Sequence, residues 1–377
     1  MGGKSENGRN SLCPCGSGKK VKHCCKGTPQ PAISPFSFAM ADMNLQRLID
    51  QNRKQKFGEI RPLVHTEWQG SKIVAVGSKV FYGNWKTPID FLFDFYIKRV
   101  LSKHWGKAEL TKPLADRHLV MQWYDSLCRL QAQQAPGDNS VYGFKPNGAA
   151  LSYLLFAFDL FAAQHHGVLK KDLLRRLRRK EHFQGARHEL FAIATCIRAG
   201  CEIEFEDESD GSKRHVEFIA VHRRTGQRIA VEAKSRHRPG VLGFKGDRPP
   251  DDAVEVGIQG LVRDALGKPV SDPYVIFVDV NLPPDLEPVN TKWLDKVGGP
   301  ILDEWRQDGA PDPWNMILFT SFPHHYGDDS ASAPLGKAVG LLGKNPIIAE
   351  THPEVIREIY EAARKFGALP NRFEDLQ

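Results

Sequence analysis

Cysteine is scarce in most of this sequence. Four of the seven cysteines lie in one short segment, from Cys13 to Cys25, and the other three are dispersed as Cys128, Cys196 and Cys201. This distribution excludes a disulfide framework spread over the chain and is typical of proteins in a reducing compartment. We therefore expect a cytoplasmic protein whose three dispersed cysteines are buried free thiols.

Long apolar runs are also missing. The longest extends from Ala149 to Ala163 and is interrupted by Asp159. A membrane-spanning helix requires about 20 apolar residues, so this run predicts a buried core helix and no membrane partner. The N-terminal residues MGGKSENGRN contain no apolar stretch and predict no secretory signal. The sequence also lacks the G-x-x-x-x-G-K-[ST] loop of ATPases, the G-x-S-x-G elbow and a dinucleotide-binding fingerprint.

Positive charge is distributed unevenly along the chain. The 377 residues carry a net charge of +7, and basic residues cluster at positions 1–26, 170–180 and 213–238. Such clusters are typical of proteins that bind a polyanion, and nucleic acid is the first candidate. The run KKDLLRRLRRK predicts a basic helix that contacts DNA phosphates, and a solvated helix face is the alternative. The predicted nucleic-acid contacts are Lys170, Lys171, Arg175, Arg176, Arg178, Arg179 and Lys180.

The periodicity of the sequence predicts three parts. Residues 1–30 are polar and cysteine-rich and end in a Pro-containing linker, residues 31–178 look mainly helical, and residues 179–377 alternate strands with helices. The fold class is therefore α/β, or α+β over the whole chain. For the mainly helical middle domain we predict only positioning, partner binding or regulation. The predicted elements are helices at 39–54, 88–104, 115–134, 149–165, 182–199 and 252–266, a strand or hairpin at 72–82, and strands at 201–206, 215–222, 228–234, 274–280, 314–320 and 346–349.

Four cysteines of the N-terminal part stand at the spacing of metal ligands. The segment reads CPCGSGKKVKHCC, which is C-x-C, eight residues and C-C. Two thiolate pairs around a short Gly-containing loop favour tetrahedral zinc, whose binding would fold the segment. The pattern resembles the SEC-C motif, the zinc-binding tail of the SecA translocase. The resemblance implies structural zinc on Cys13, Cys15, Cys24 and Cys25, with His23 as the alternative fourth ligand. The lysines around it suit a docking module for protein or nucleic acid.

Three glutamates and a lysine form a second pattern. Glu189 lies in a predicted helix, Glu217 in the strand HVEFIAV, and Glu232 and Lys234 in the strand RIAVEAKSR. Residues two apart on a strand share a face, and the turn RTGQ makes the two strands a hairpin. This hairpin brings Glu217 beside Glu232 and Lys234, where carboxylate oxygens suit Mg²⁺ or Mn²⁺.

The order of these elements resembles the PD-(D/E)xK nuclease superfamily over residues 179–280. That family has a helix carrying Glu, a strand carrying Asp and a hairpin strand carrying (D/E)-x-K, followed by a helix and an apolar strand. The resemblance implies a restriction-endonuclease-like mixed sheet flanked by helices, with Mg²⁺ or Mn²⁺ on Glu217 and Glu232. It also implies that Lys234 assists the attacking water and that Glu189 supports the metal shell. The sequence departs from the family at the expected Asp, which is Glu217 and follows no Pro.

Three functional hypotheses result from these patterns. The first is a metal-dependent nuclease that hydrolyses DNA phosphodiester bonds with the help of Mg²⁺ and docks through its zinc module. The second is a catalytically degenerate adapter that binds nucleic acid or protein through the zinc module and the basic patches. The third, a chaperone-linked adapter that uses its zinc module as SecA does, depends on that motif alone. A metal-dependent cleavage assay separates the first hypothesis from the other two.

Overall fold

The structure is a computed structural model of the 377-residue chain. It describes residues 9–13, 17–24, 43–45, 47–49, 51–52, 54–55, 61, 63–134, 141, 143–206, 215–248, 250, 256–282, 291–306, 310–322, 337–349 and 352–376. The chain divides into two compact units, Met1–Lys54 and Gln55–Gln377. The domain boundaries that the sequence predicts after residues 30 and 178 stay predictions. In the first unit the described residues from 43 to 54 are helical, as predicted for that segment, and the remainder of the helix predicted at 39–54 lies outside the described residues.

A three-stranded antiparallel sheet opens the second unit. Its strands are β1 (Val64–Trp68), β2 (Ser71–Val76) and β3 (Lys79–Gly83). The side chains of β2 alternate, so Val74 and Val76 enter the core while the outer face of the sheet meets solvent. The hairpin predicted at 72–82 is confirmed, and one further strand is added to it.

Helices follow this sheet, and the first begins at a capping box. The hydroxyl of Thr87 accepts from the Asp90 N–H, the carboxylate of Asp90 accepts from the Thr87 N–H, and Pro88 occupies the first helical position. A π-helical turn comes next, and Ser102, with a φ of 79°, interrupts the helix predicted at 88–104. The elements of this part are α1 (Pro88–Phe95), the π turn (Tyr96–Val100), α2 (Lys103–Leu110), α3 (Leu119–Gln134), α4 (Gly148–His165) and α5 (Lys171–Leu177).

The helix α4 lies at the centre of the core. Its first turn is capped by the side chain of Asn147, which accepts from the Ala150 N–H at 2.8 Å. Almost all of its 18 residues are buried, in agreement with the buried helix that the apolar run predicts. Asp159 is the buried charge of this helix, and its Oδ1 lies 2.8 Å from Nη1 of Arg198 at the end of α6 (Phe183–Arg198).

A six-stranded mixed sheet follows α6, and it confirms the predicted α/β fold class. The strands lie in chain order; the first three are antiparallel, β6, β7 and β8 are parallel, and β9 is antiparallel to β8. One face packs against α6 and α9, and the other packs against α7 and α8. The elements are β4 (Cys201–Glu204), β5 (Phe218–His222), β6 (Arg228–Ser235), α7 (Gln259–Leu266), β7 (Tyr274–Asp279), α8 (Thr291–Trp305), β8 (Met316–Ser321), β9 (Lys337–Leu342) and α9 (Pro353–Arg364).

The strand predicted at 346–349 is wrong. Pro346 makes a single isolated bridge with Asp312, and the segment continues as a loop. The carboxylate of Asp312 accepts from the backbone N–H groups of Lys344 and Asn345, which fixes the chain in a loop before Pro346, a residue without an N–H. Strand β9, at residues 337–342, closes this edge of the sheet instead.

The basic run at 170–180 forms a shorter helix than predicted. Helix α5 ends at Leu177, because the Arg178 N–H donates to the Arg175 carbonyl oxygen, the Arg179 N–H donates to the Arg176 carbonyl oxygen, and Arg179 takes an extended conformation. Two other elements begin later than predicted, since β5 starts at residue 218 and α7 at residue 259. Residues 252–255 of that predicted helix lie outside the described residues.

Candidate active site

Two of the predicted carboxylates lie at strands β5 and β6. The antiparallel register begins with the pair of Phe218 and Val231, so Glu217 directly precedes β5 and Glu232 follows Val231 on β6. Lys234, two positions further along β6, lies on the same face of the sheet as Glu232. This is the face that α7 covers, as the packing of its apolar residues shows.

Glu232 is a fully buried carboxylate held between two lysines. Nζ of Lys268 lies 2.6 Å from Oε1 and 2.7 Å from Oε2 of Glu232, and Nζ of Lys234 lies 3.2 Å from Oε1. A buried ion is costly unless it is paired, so these contacts stabilise the charge of Glu232. Lys268 follows α7 and belongs to no sequence motif, so it was missed in the sequence.

Lys234 connects Glu232 to a second carboxylate. Its Nζ lies 2.5 Å from Oδ2 of Asp264 in α7. Burial acts to lower the pKa of Lys234, but the hydrogen bonds and charges of Asp264 and Glu232 outweigh it, so its pKa is raised. Lys234 is therefore held as a cation, which suits it to orient a water molecule or to stabilise developing negative charge.

Glu217 carries the strongest electrostatic perturbation of this group. Its pKa is raised to about 7, first because the carboxyl is buried and then because Glu189 and Glu232 repel its charge. The cations Lys268 and Arg176 oppose that rise. Glu217 therefore lies within electrostatic reach of both Glu189 and Glu232, and this arrangement favours a cation or a proton beside Glu217.

Glu189 joins this cluster from α6. It is a buried residue, and its Oε2 lies 2.6 Å from Nη1 of Arg176 in α5. Arg176 also donates through Nε to Asp172 at 2.8 Å. The guanidinium predicted to contact nucleic acid is thus engaged by two carboxylates of the protein itself, and it connects the basic run to the glutamates.

The other members of the basic run differ in what they contact. Lys170 lies 3.8 Å from the centre of the Phe205 ring, whereas Arg178 and Lys180 donate to backbone carbonyl oxygens. The members with exposed side chains are Lys171, Arg175 and Arg179. Only part of the run therefore presents its charge to solvent.

The N-terminal unit folds its cysteine segment back on itself. The Cys13 N–H donates to the Lys19 carbonyl oxygen at 2.8 Å, and a short 3₁₀ turn, Val21–His23, follows. Cys13 is buried, and Sγ of Cys24 lies 2.9 Å from the hydroxyl oxygen of Ser17. Cys15 and Cys25, the other two predicted zinc ligands, lie outside the described residues.

The described part of the chain was compared with the arrangements in which side chains hold a metal ion. Among the residues that the structure describes, no group of three or more His, Cys, Asp or Glu side chains is arranged to hold a metal ion. Of the carboxylates predicted to form the magnesium site, Glu232 is paired with Lys268 and Lys234, and Glu189 is paired with Arg176.

Comparison with known proteins identifies one motif. Residues 9–26 match the SEC-C motif, which the cysteine spacing indicates. No curated protein and no solved structure matches the chain. In the described ranges no helix combines the length and the apolar content that crossing a membrane requires.

Proposed function

We propose that the chain is a metal-dependent nuclease that hydrolyses phosphodiester bonds of DNA and docks through its SEC-C module. The observation that supports the proposal is that Glu232 and Lys234 share one face of strand β6, while the charge of Glu232 raises the pKa of Glu217, the residue before β5. The order of the elements supports it, because a helix, three antiparallel strands, a helix and a parallel strand follow one another as the PD-(D/E)xK resemblance implies.

The donor set fits Mg²⁺ or Mn²⁺. Mg²⁺ in phosphoryl-transfer sites is held by one or two carboxylates, and waters and substrate phosphates complete its coordination. Glu217 and Glu232 would supply these carboxylates, and Glu189 would support them. When bound, such an ion polarises the phosphate and lowers the pKa of a water ligand.

Two lysines would contact the water and the substrate phosphate in this site. Lys234 would hold the attacking water or stabilise the negative charge that develops on the phosphate. Lys268 now occupies both oxygens of Glu232, so it would have to release at least one of them to a metal ion. Released from Glu232, its ammonium group would be close enough to the site to contact a substrate phosphate.

We further propose that the SEC-C module binds structural zinc. Cys13, Cys15, Cys24 and Cys25 would be its ligands, with His23 as the alternative for the fourth position. A site closed by four protein ligands leaves no open position for catalysis, so the module would serve folding and docking, to nucleic acid or to a protein partner. Residues 1–30 would form this module and its linker in a cytoplasmic protein.

One observation favours the adapter as the second candidate function. The charge of Glu232 is already compensated by Lys268 and Lys234, and the charge of Glu189 is compensated by Arg176. A cluster neutralised by its own cations is stable without a metal ion. In that case the nuclease-like sheet would only present the basic surface to nucleic acid.

A cleavage assay on the full chain tests the proposal. The purified protein is incubated with linear, nicked, circular and single-stranded DNA, with and without Mg²⁺ or Mn²⁺. We expect metal-dependent cleavage that Glu232→Ala abolishes and that Lys234→Ala reduces by about 10²-fold, the usual cost of removing one electrostatic contact to the transition state. Equal inactivity of all three proteins on every DNA form, with unchanged DNA binding, would establish the adapter instead.

A further inference from the structure

A basic cavity lies outside the carboxylate cluster and shares none of its residues. It has a volume of about 320 Å³ and opens between the start of α3, the segment joining α5 to α6, and the loop that follows β6. Ligand pockets in proteins have volumes of about 300 Å³ or more, so this cavity can hold a ligand of the size of a mononucleotide. The residues lining it are Ala115, Arg117, Leu119, Gln122, Lys180, Gly240, Val241, Leu242, Gly243, Phe244 and Arg248.

The charge of this cavity is positive. Arg117, Lys180 and Arg248 line it, and these lining residues include no Asp or Glu. Arg117 is partly compensated, because its Nη1 donates to Asp125 at 3.2 Å. Nζ of Lys180 donates to a backbone carbonyl oxygen at 2.7 Å, a partner without a formal charge. Among the described residues that line the cavity the net charge is therefore positive, and Lys180 is a cation held by a neutral partner.

The loop that forms one wall is conformationally constrained. Gly240 and Gly243 have φ values of 66° and 78°, and between them the buried Leu242 has a φ of 49°. A branched, non-Gly residue in the left-handed region is an outlier that persists only where its surroundings fix it. At Gly240 a side chain would collide with the backbone of Arg248, so glycine allows the two arms of this loop to approach closely.

Two chain segments connect the cavity to the carboxylate cluster. The basic run contributes Arg176 to Glu189 and, shortly after, Lys180 to the cavity wall. Strand β6 carries Glu232 and Lys234, and the chain that leaves it continues into the loop beginning at Gly240.

We propose that this cavity binds a phosphate group of a nucleic-acid strand. The inference rests on the proposed function only in taking the ligand to be a nucleic-acid strand, because the charge and volume of the cavity come from residues outside the proposed active site. The phosphate is either the terminal phosphate of the strand or an internal phosphodiester. Phe244 lines the same cavity, and its ring stacks on the ring of His237 at a centroid distance of 5.1 Å.

Binding measurements on the full chain carrying Glu232→Gln test this inference without cleavage. The probes are fluorescent single-stranded DNAs of one sequence with a 5′-phosphate, a 3′-phosphate or no terminal phosphate, and a circular form of the same length. We expect Lys180→Gln and Arg248→Gln each to weaken binding by about tenfold, the value of one charge-assisted hydrogen bond. Loss confined to one phosphorylated end assigns a terminal phosphate, and equal loss on all four probes assigns an internal one.

Lys245→Gln is the matched control. Lys245 is exposed in the same loop, carries the same charge and does not line the cavity. Unchanged binding by Lys180→Gln and Arg248→Gln, or an equal loss with Lys245→Gln, would overturn the inference. DNA cleavage is measured separately on the chain that keeps Glu232. If this chain cleaves DNA but the cavity variants bind DNA normally, only the inference about the cavity is wrong. If the cavity variants bind DNA weakly but no cleavage occurs, only the proposed nuclease activity is wrong.

Discussion

Lys268 holds both carboxylate oxygens of Glu232, at 2.6 Å from Oε1 and 2.7 Å from Oε2. Glu232 is fully buried, so this ammonium group occupies the position in which a divalent cation would contact the carboxylate. The ion pair therefore balances the charge of the site in the absence of metal, and a metal ion would have to compete with it.

Removing Lys268 should reveal this competition. Lys268→Met leaves Glu232 with the more distant Lys234 as its cation, so we expect the free energy of unfolding to fall by about 3 kcal/mol. Added Mg²⁺ should restore more stability to the variant than to the wild type, because binding to the native state stabilises it. Denaturant unfolding with and without Mg²⁺ measures both effects.

The control for this variant is Lys107→Met on the exposed face of α2. A surface lysine should change the unfolding free energy by no more than about 0.5 kcal/mol, with no response to Mg²⁺. If Lys268→Met behaves like this control, Lys268 does not balance the charge of Glu232.

Glu217→Asp tests the departure from the PD-(D/E)xK pattern. The change keeps the carboxylate but shortens its reach by one methylene, and a displacement near 1 Å in a reacting site costs up to about 10²-fold in rate. We expect cleavage to continue at a reduced rate or with an altered preference for Mn²⁺ over Mg²⁺. Glu202→Asp, the same change on exposed strand β4, should leave the rate unchanged. Indistinguishable rates for the wild type and Glu217→Asp would remove Glu217 from the site.

The sequence was informative where the structure depends on local pattern. The hairpin that joins β5 to β6 is specified by alternation and by a turn of local sequence, so the pairing of these two strands was predictable. The central helix α4 was predictable for the same reason, because its apolar run has no polar face.

The sequence could not predict which side chains meet through tertiary packing. Lys268 and Asp264 contact the β6 residues only because α7 packs over the sheet, and no spacing in the sequence encodes that contact. The erroneous strand at 346–349 has a similar origin, since the carboxylate of Asp312, distant along the chain, accepts from the N–H groups of Lys344 and Asn345 and fixes the chain in a loop before Pro346.

The zinc module makes a stoichiometric prediction. Protein purified without added metal should contain about one zinc per chain, as one four-thiolate site requires. Cys13→Ser combined with Cys24→Ser should lose that zinc, while the unfolding midpoint of Gln55–Gln377 stays unchanged because the module belongs to a separate unit. Elemental analysis provides the measurement, and Cys128→Ser is the control thiol. Full zinc content in the double variant would contradict the assignment.

The exposed part of the basic run should contribute to DNA affinity through phosphates alone. Replacing Lys171, Arg175 and Arg179 with Gln should weaken binding and flatten the dependence of log affinity on log salt by about one per lost contact. Fluorescence anisotropy over a series of salt concentrations measures the slope. The charge-matched control replaces Lys103, Lys107 and Lys365 with Gln on other exposed surfaces. Equal slopes for both triple variants would identify the run as a solvated surface.

Buried His118 should make stability depend on pH. It packs between the rings of Trp105 and Phe183, at centroid distances of 5.3 and 5.0 Å, and burial lowers its pKa from 6.5 to about 4. The charged groups that act on it are Glu109, Lys180, Lys112 and Glu181. Between these two pKa values the unfolded chain binds a proton that the folded chain does not. The free energy of unfolding therefore falls as the pH drops from about 6.5 towards 4, by up to about 3 kcal/mol from this residue.

A His118→Gln variant isolates this contribution. His188 and His166 are buried with pKa values lowered, mainly by burial, to about 4 and about 3, so they titrate in the same direction in both proteins and cancel in the comparison. The stability difference between wild type and variant should shrink by about 3 kcal/mol between pH 7 and pH 4. Urea unfolding at a series of pH values measures it, with His104→Gln at an exposed position as the control. A difference that is constant with pH would mean that His118 binds its proton equally well in the folded and unfolded chain.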